Sequence, residues 1–180
     1  MKGRLLVAVP GTYDPNFDRT VVLLLEHTDD GALGVVLNRP SETGVEAALP
    51  GWEPVAAAPP VVFVGGPVAP TGALALGTVT GDDADGWTPV LGPVGLLDLG
   101  HSPASAAGAE VAQARLFAGH AGWTAGQLEG EIAAGGWFVV DAEPDDALVS
   151  DPEQLWPSVL ARQPGRLAWF ANCPADPRAN

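Results

Sequence analysis

Five large apolar residues in a row, Val21 to Leu25, constrain this chain more than any other feature. Successive side chains of a strand point to opposite faces, so a strand with one wet face alternates apolar with polar. Here neither face is polar, which predicts a central strand over Thr20–Glu26 covered on both sides. Thr28-Asp29-Asp30-Gly31 follows, then a second apolar stretch, Leu33 to Leu37, and a stop at Asn38-Arg39-Pro40. Asp-Gly between two such stretches is a hairpin signal.

An antiparallel hairpin sets the start of its first strand beside the end of its second. Asp14, Asn16, Asp18 and Arg19 precede the first strand, and Asn38 and Arg39 follow the second. These six polar residues should therefore meet at one corner. Such a corner could hold a small polar ligand or position carboxylates for acid–base work. Equally, its groups could pair with one another and close the strand ends, since Asp14-Pro15-Asn16 is also ordinary turn chemistry. A His27–Asn38 dyad is excluded on distance. Across an Asp30-Gly31 turn His27 would face Gly34, roughly 13 Å along the strand from Asn38. His27 is instead expected to bond the turn carboxylates.

The remaining elements follow from local signals. Strands are expected over Leu5–Val9, Val61–Val64, Ala73–Leu76, Gly95–Leu99, Arg115–Gly119 and Trp137–Asp141. Val45–Leu49 suggests a short helix and Ala104–Gln113 a weak one. The acids, glycines and proline of Gly77–Gly92 suggest an exposed loop. Thr124 and Gln127 have capping-box spacing for a helix running through Leu128 and Ile132 to Gly135-Gly136. Asp151-Pro152 resembles a second helix start, and Pro157 is expected to split that helix into two pieces. Strands and helices do not alternate regularly, which predicts an α+β fold with mainly antiparallel pairing, as a single domain over residues 1–180.

Few residues carry reactive chemistry. Three dispersed histidines and one cysteine give no metal signature, and no cofactor motif is present. No Ser lies in a GxSxG elbow. Cys173, near the C-terminus, is expected to be inert. Gly65-Gly66-Pro67 lacks the Lys-Ser/Thr tail of a phosphate loop and reads as a tight turn. Glu129 and Glu131, two apart on the expected helix, point to different faces. Trp123 and Trp137 bracket that helix and should pack it onto the sheet.

Charge and hydropathy limit the partners. The net charge is −14 and Lys2 is the only lysine, so direct nucleic-acid binding is disfavoured unless the arginines gather on one face. No apolar run approaches the roughly 20 residues of a membrane helix. The lone cysteine fits a reducing compartment, taken as the cytoplasm.

The motifs DPNFDRTVVLLLEH (from Asp14), GALGVVLNRP (from Gly31), VFVGGPV (from Val62), GHAGW (from Gly119), GQLEGEI (from Gly126) and Leu155-Trp156 occur together and in order. With them the chain resembles the AlgH/YqgE family of bacterial proteins, as an actinobacterial-type member. The resemblance implies a bifurcated, mostly antiparallel sheet bent into a pseudo-barrel with a few helices packed outside. It brings no catalytic residues. His120 departs from the GYAGW that members commonly have, and a locally bonded ring is expected there. The function expected is a non-enzymatic binding or regulatory domain for a small molecule or protein partner. Its ligand-binding residues would be Asp14, Asn16, Asp18, Arg19, Asn38 and Arg39. The alternatives are a small hydrolase using Asp14 or Asp18, and a transcriptional regulator, as the family's association with alginate suggests.

Overall fold

A computed structural model of the protein describes residues 1–11, 14, 16–81, 86–103 and 110–173. Its frame is the hairpin of β2 (Val21–Thr28) and β3 (Gly31–Val36). On one side β2 pairs β1 (Arg4–Ala8), which in turn pairs β10 (Trp137–Asp141). On the other side β3 pairs the end of the long strand β9 (Val111–Thr124). All these pairings are antiparallel.

β9 belongs to two sheets. Beyond its contact with β3 it pairs β6 (Val68–Val79) antiparallel and β5 (Val61–Val64) parallel. β6 continues into β8 (Val94–Leu97) and β7 (Trp87–Leu91), while β5 pairs β4 (Pro40–Gly44). The sheet is thus bifurcated and mostly antiparallel, as the family resemblance implied. Gly65 stands at the fork: its N–H donates to the Ala118 carbonyl and its own carbonyl accepts from Val36 N–H. A Cβ on Gly65 would strike the Gly119 carbonyl, and one on Gly66 would strike the His120 backbone. Gly65, Gly66 and Gly119, whose Cβ would strike the Gly66 carbonyl, are therefore required by backbone-on-backbone contact.

The double-sided burial expected of β2 is present. Val21, Leu23 and Leu25 join the larger core, while Val22 and Leu24 join a second core on the opposite face. β1 divides likewise, with Leu5 and Val7 on one side and Leu6 and Ala8 on the other. The larger core is closed by α4 (Leu155–Ala161) through Leu155, Trp156, Val159 and Leu160. The second is closed by α2 (Gln127–Ala133) through Leu128, with Ile132 at its margin. Each fully buried Val or Leu contributes roughly 1.5–3 kcal/mol, so this strand alone fixes the two-layer cover. The short helices α1 (Val45–Ala48), α3 (Pro144–Ala147) and α5 (Leu167–Phe170) complete the periphery. No helix of the described residues is long and apolar enough to cross a membrane.

Several local expectations are corrected. The hairpin turn is Asp29-Asp30, with Thr28 opposite Gly31 and His27 opposite Ala32, and a bulge falls between Leu24 and Glu26. Gly31 is required by its φ of 141° and by the Trp123 carbonyl, which a Cβ would strike. Gly77–Gly92 is not one loop: β6 reaches Val79, and Trp87–Leu91 forms β7. Of the helix expected over Ala104–Gln113, residues 104–109 lie outside the described ones, and Val111–Gln113 begin β9. Thr124 still belongs to β9, and Gly126, at φ 73°, is the N-cap of α2. Only half of the capping box forms, with Thr124 N–H donating to Gln127 Oε1 at 3.1 Å. Asp151 makes no side-chain cap bond, and a 3-10 turn at Pro152–Gln154 precedes α4. Pro157 does not split α4, because it is the third residue of that helix and lies in the first turn, where N–H groups have no helical partner anyway.

Candidate functional site

The hairpin brings the polar residues to one corner, and most of them bind backbone there. Asn38, 8% exposed, accepts from Val21 N–H at 2.9 Å and donates to the Arg19 carbonyl at 2.8 Å. Arg39 donates to the Asp18 carbonyl. Arg19, at a φ of 51°, donates to the Cys173 carbonyl and lies 4.5 Å over the Trp156 ring. The Asp14 carbonyl accepts from the N–H groups of Phe17 and Asp18. Asp14 Oδ1 accepts from the Asn16 backbone N–H at 2.9 Å and from Asn16 Nδ2 at 3.0 Å. Together these bonds order the approach to β2 and fix where Phe17 points.

Phe17 leads to a site that the hairpin alone does not reveal. Its ring packs against Trp123 and Trp137, with centroids 6.4 and 5.3 Å away, and the two indoles lie 6.1 Å apart. These rings line a cleft of about 700 Å³ between the end of β9, α2 and the start of β10. Asp14, Val9, Pro10, Pro67, Gln127 and Glu131 complete most of its wall. Glu131 is the hub. Its Oε2 accepts both indole N–H groups, from Trp123 at 2.9 Å and Trp137 at 2.8 Å, and its Oε1 accepts from Gln127 Nε2 at 3.0 Å. Buried indole N–H groups need acceptors, and one carboxylate in the middle of α2 serves both.

Of the six corner residues, only Asp14 lines this cleft. Asn16 and Arg39 border a separate hollow of about 250 Å³ with Val64, Gly66 and Pro67. Asp18, Arg19 and Asn38 line neither. Trp123 and Trp137 do pack α2 onto the sheet, as expected. Their shared bond to Glu131 was missed, although two tryptophans flanking a helix with a central glutamate signal it.

The histidines differ from expectation. His27 bonds Glu129 on α2 and the N-terminal amine, not the turn carboxylates, because its ring lies beside the start of α2. Glu129 is held below the usual glutamate range, first by a backbone N–H and then by His27. The His120 ring makes no side-chain hydrogen bond among the described residues, so the expected local bond is not found. Arg115 is 1% exposed, stacks 4.2 Å over Phe63 and donates to the Ala58 carbonyl at 2.6 Å. Among the described residues it has no acidic partner, and burial lowers its pKa to about 10. Among the described residues no group of three His, Cys, Asp or Glu side chains is placed to hold a metal ion.

Comparison with known proteins agrees with this architecture. A family model described as AlgH-like matches residues 5–168. A UPF0301 protein of Streptomyces avermitilis is 49% identical, with all of this chain and 95% of the relative covered. One of Mycobacteroides abscessus is 44% identical over 99% of this chain and 87% of the relative. A crystal structure from Corynebacterium diphtheriae matches with TM-score 0.88 at 34% identity, covering 96% of this chain and 92% of that one. The solution structure of the AlgH protein from Pseudomonas aeruginosa matches with TM-score 0.68 at 28% identity, covering 97% and 94%. The chain belongs to the AlgH-like family.

Proposed function

We propose that the chain is a non-enzymatic binding or regulatory domain of the cytoplasm whose ligand seats in the cleft between Phe17, Trp123, Trp137 and α2. One observation carries this reading: the cleft is preformed, and its central carboxylate is fixed by three donors before any ligand arrives. Its volume, about 700 Å³, lies within the range of small-molecule sites. Among the described residues its wall holds no Ser, Thr, Cys, His or Lys, and the two carboxylates Asp14 and Glu131 are its ionisable groups. Asp14 is the corner residue assigned to ligand contact. Asn16, Asp18, Arg19, Asn38 and Arg39 hold the loop that presents it.

A small hydrolase using Asp14 as base is the second reading, favoured by the place of that carboxylate in the cleft wall. A regulator that touches DNA directly has less support. Arg115 is buried, and Arg4 and Arg162 pair with Asp141 and Asp146, so these three arginines are already engaged within the protein.

A thermal-shift screen of metabolites tests the binding reading. A ligand that raises the melting temperature should lose that effect with Asp14→Ala and keep it with Asn38→Ala. The opposite pattern would place the ligand at the corner. Turnover of an ester or amide panel, abolished by Asp14→Asn, would favour the hydrolase.

A further inference from the structure

Resting on the binding reading above, we infer that the cleft takes an organic cation: a small molecule with an apolar or aromatic body and a protonated amine or amidine. The donors around the cleft are largely committed. Both indole N–H groups go to Glu131 Oε2, Gln127 Nε2 gives one hydrogen to Oε1, and Asn16 gives both its bonds to Asp14 Oδ1. Gly135 and Gly136 N–H donate to the carbonyls of Ile132 and Glu131.

What remains is acceptor capacity. Asp14 Oδ2 has no hydrogen-bond partner among the described residues, although the same residue lines the cleft. A carboxylate offers about four lone-pair sites, and Glu131 receives three bonds. Among the described residues no basic side chain lines the wall. Among the described residues an anion would meet two carboxylates with almost no donors. A quaternary ammonium would bring charge but no N–H for Asp14. A protonated amine or amidine supplies both. The rings of Phe17, Trp123 and Trp137 add to this, because aromatic faces attract cations. Val9, Pro10, Pro67 and Ala134 suit an apolar body.

Nuclear magnetic resonance titration of the full chain, following the two indole N–H signals of Trp123 and Trp137, tests this. The probes are 2-phenylethylamine and benzamidine, against 2-phenylethanol and phenylacetate as neutral and anionic counterparts. The amine should shift both indoles saturably and bind at least about tenfold tighter than the alcohol, the value of a charge-assisted hydrogen bond. Asp14→Asn, on an exposed loop, should weaken the amine far more than the alcohol and so remove most of that preference. Alcohol or phenylacetate binding as tightly as the amine would overturn the cation assignment and leave the cleft a ligand site. If none of the four probes moves either indole at millimolar concentration, the binding reading falls as well.

Discussion

The corner at Asp14–Arg39 and the cleft at Glu131 are both dense in polar residues, and they use them in opposite ways. At the corner, side chains bond backbone: Asn38 to Val21 and Arg19, Arg39 to Asp18, Arg19 to Cys173. At the cleft, side chains bond one another around an open volume, with Glu131 held by two indoles and an amide. The first arrangement closes strand ends and leaves little for a ligand. The second holds a charged group at the wall of a space that a ligand can enter. Density of specified polar residues therefore does not tell the two regions apart, whereas the destination of their hydrogen bonds does.

The difference can be broken experimentally at either end. The largest effect is expected from Glu131→Ala, which strips the acceptor from two buried indoles. Urea denaturation should show a loss of about 3 kcal/mol, with a changed near-ultraviolet circular dichroism from the freed tryptophans. Asn38→Ala should follow with about 2 kcal/mol, because it leaves the Val21 N–H buried without a partner. Its near-ultraviolet spectrum should stay unchanged, which separates the two regions. A spectrum altered equally by both changes would mean that the corner and the cleft are one unit.

Asp18→Ala should change stability by less than about 0.5 kcal/mol, since it is the Asp18 carbonyl that Arg39 bonds, while its carboxylate is exposed. The smallest effect concerns pH. Glu129 is held below its ordinary value, so its contribution is present above about pH 4.3 and lost as pH falls through the lower folded value. His27→Gln should make the acid limb of a stability–pH curve shallower. It should not flatten it, because a backbone N–H is the larger cause.

The sheet was legible in the sequence where burial dictates pattern. Val21–Leu25 demanded two cores and has them. The corner was legible too, because hairpin pairing is local geometry. β7 was not, because Pro89 and its glycine- and acid-rich flank resemble a loop. That proline is tolerated because, among the described residues, β7 pairs only β8 and is an edge strand. The length of β9 was hidden by Gly119, whose φ of 70° looks like a strand end but serves the close approach at the fork. The cleft was illegible for another reason. Trp123, Glu131 and Trp137 are close in sequence, but Phe17 and Pro67 come from distant segments that no local pattern ties to them.

That β1 pairs β10, with Arg4 opposite Asp141, has a consequence for how the chain is made. During synthesis β1, β2 and β3 leave the ribosome long before β9 and β10 exist. Until then the outer edges of β1 and β3 lack the strands that cover them, and between them lies the most apolar segment of the protein. Unpaired edges beside such a segment invite aggregation. A chain halted at Gly136 would lack β10 and keep the β1 edge open, so that edge closes only once β10 has emerged.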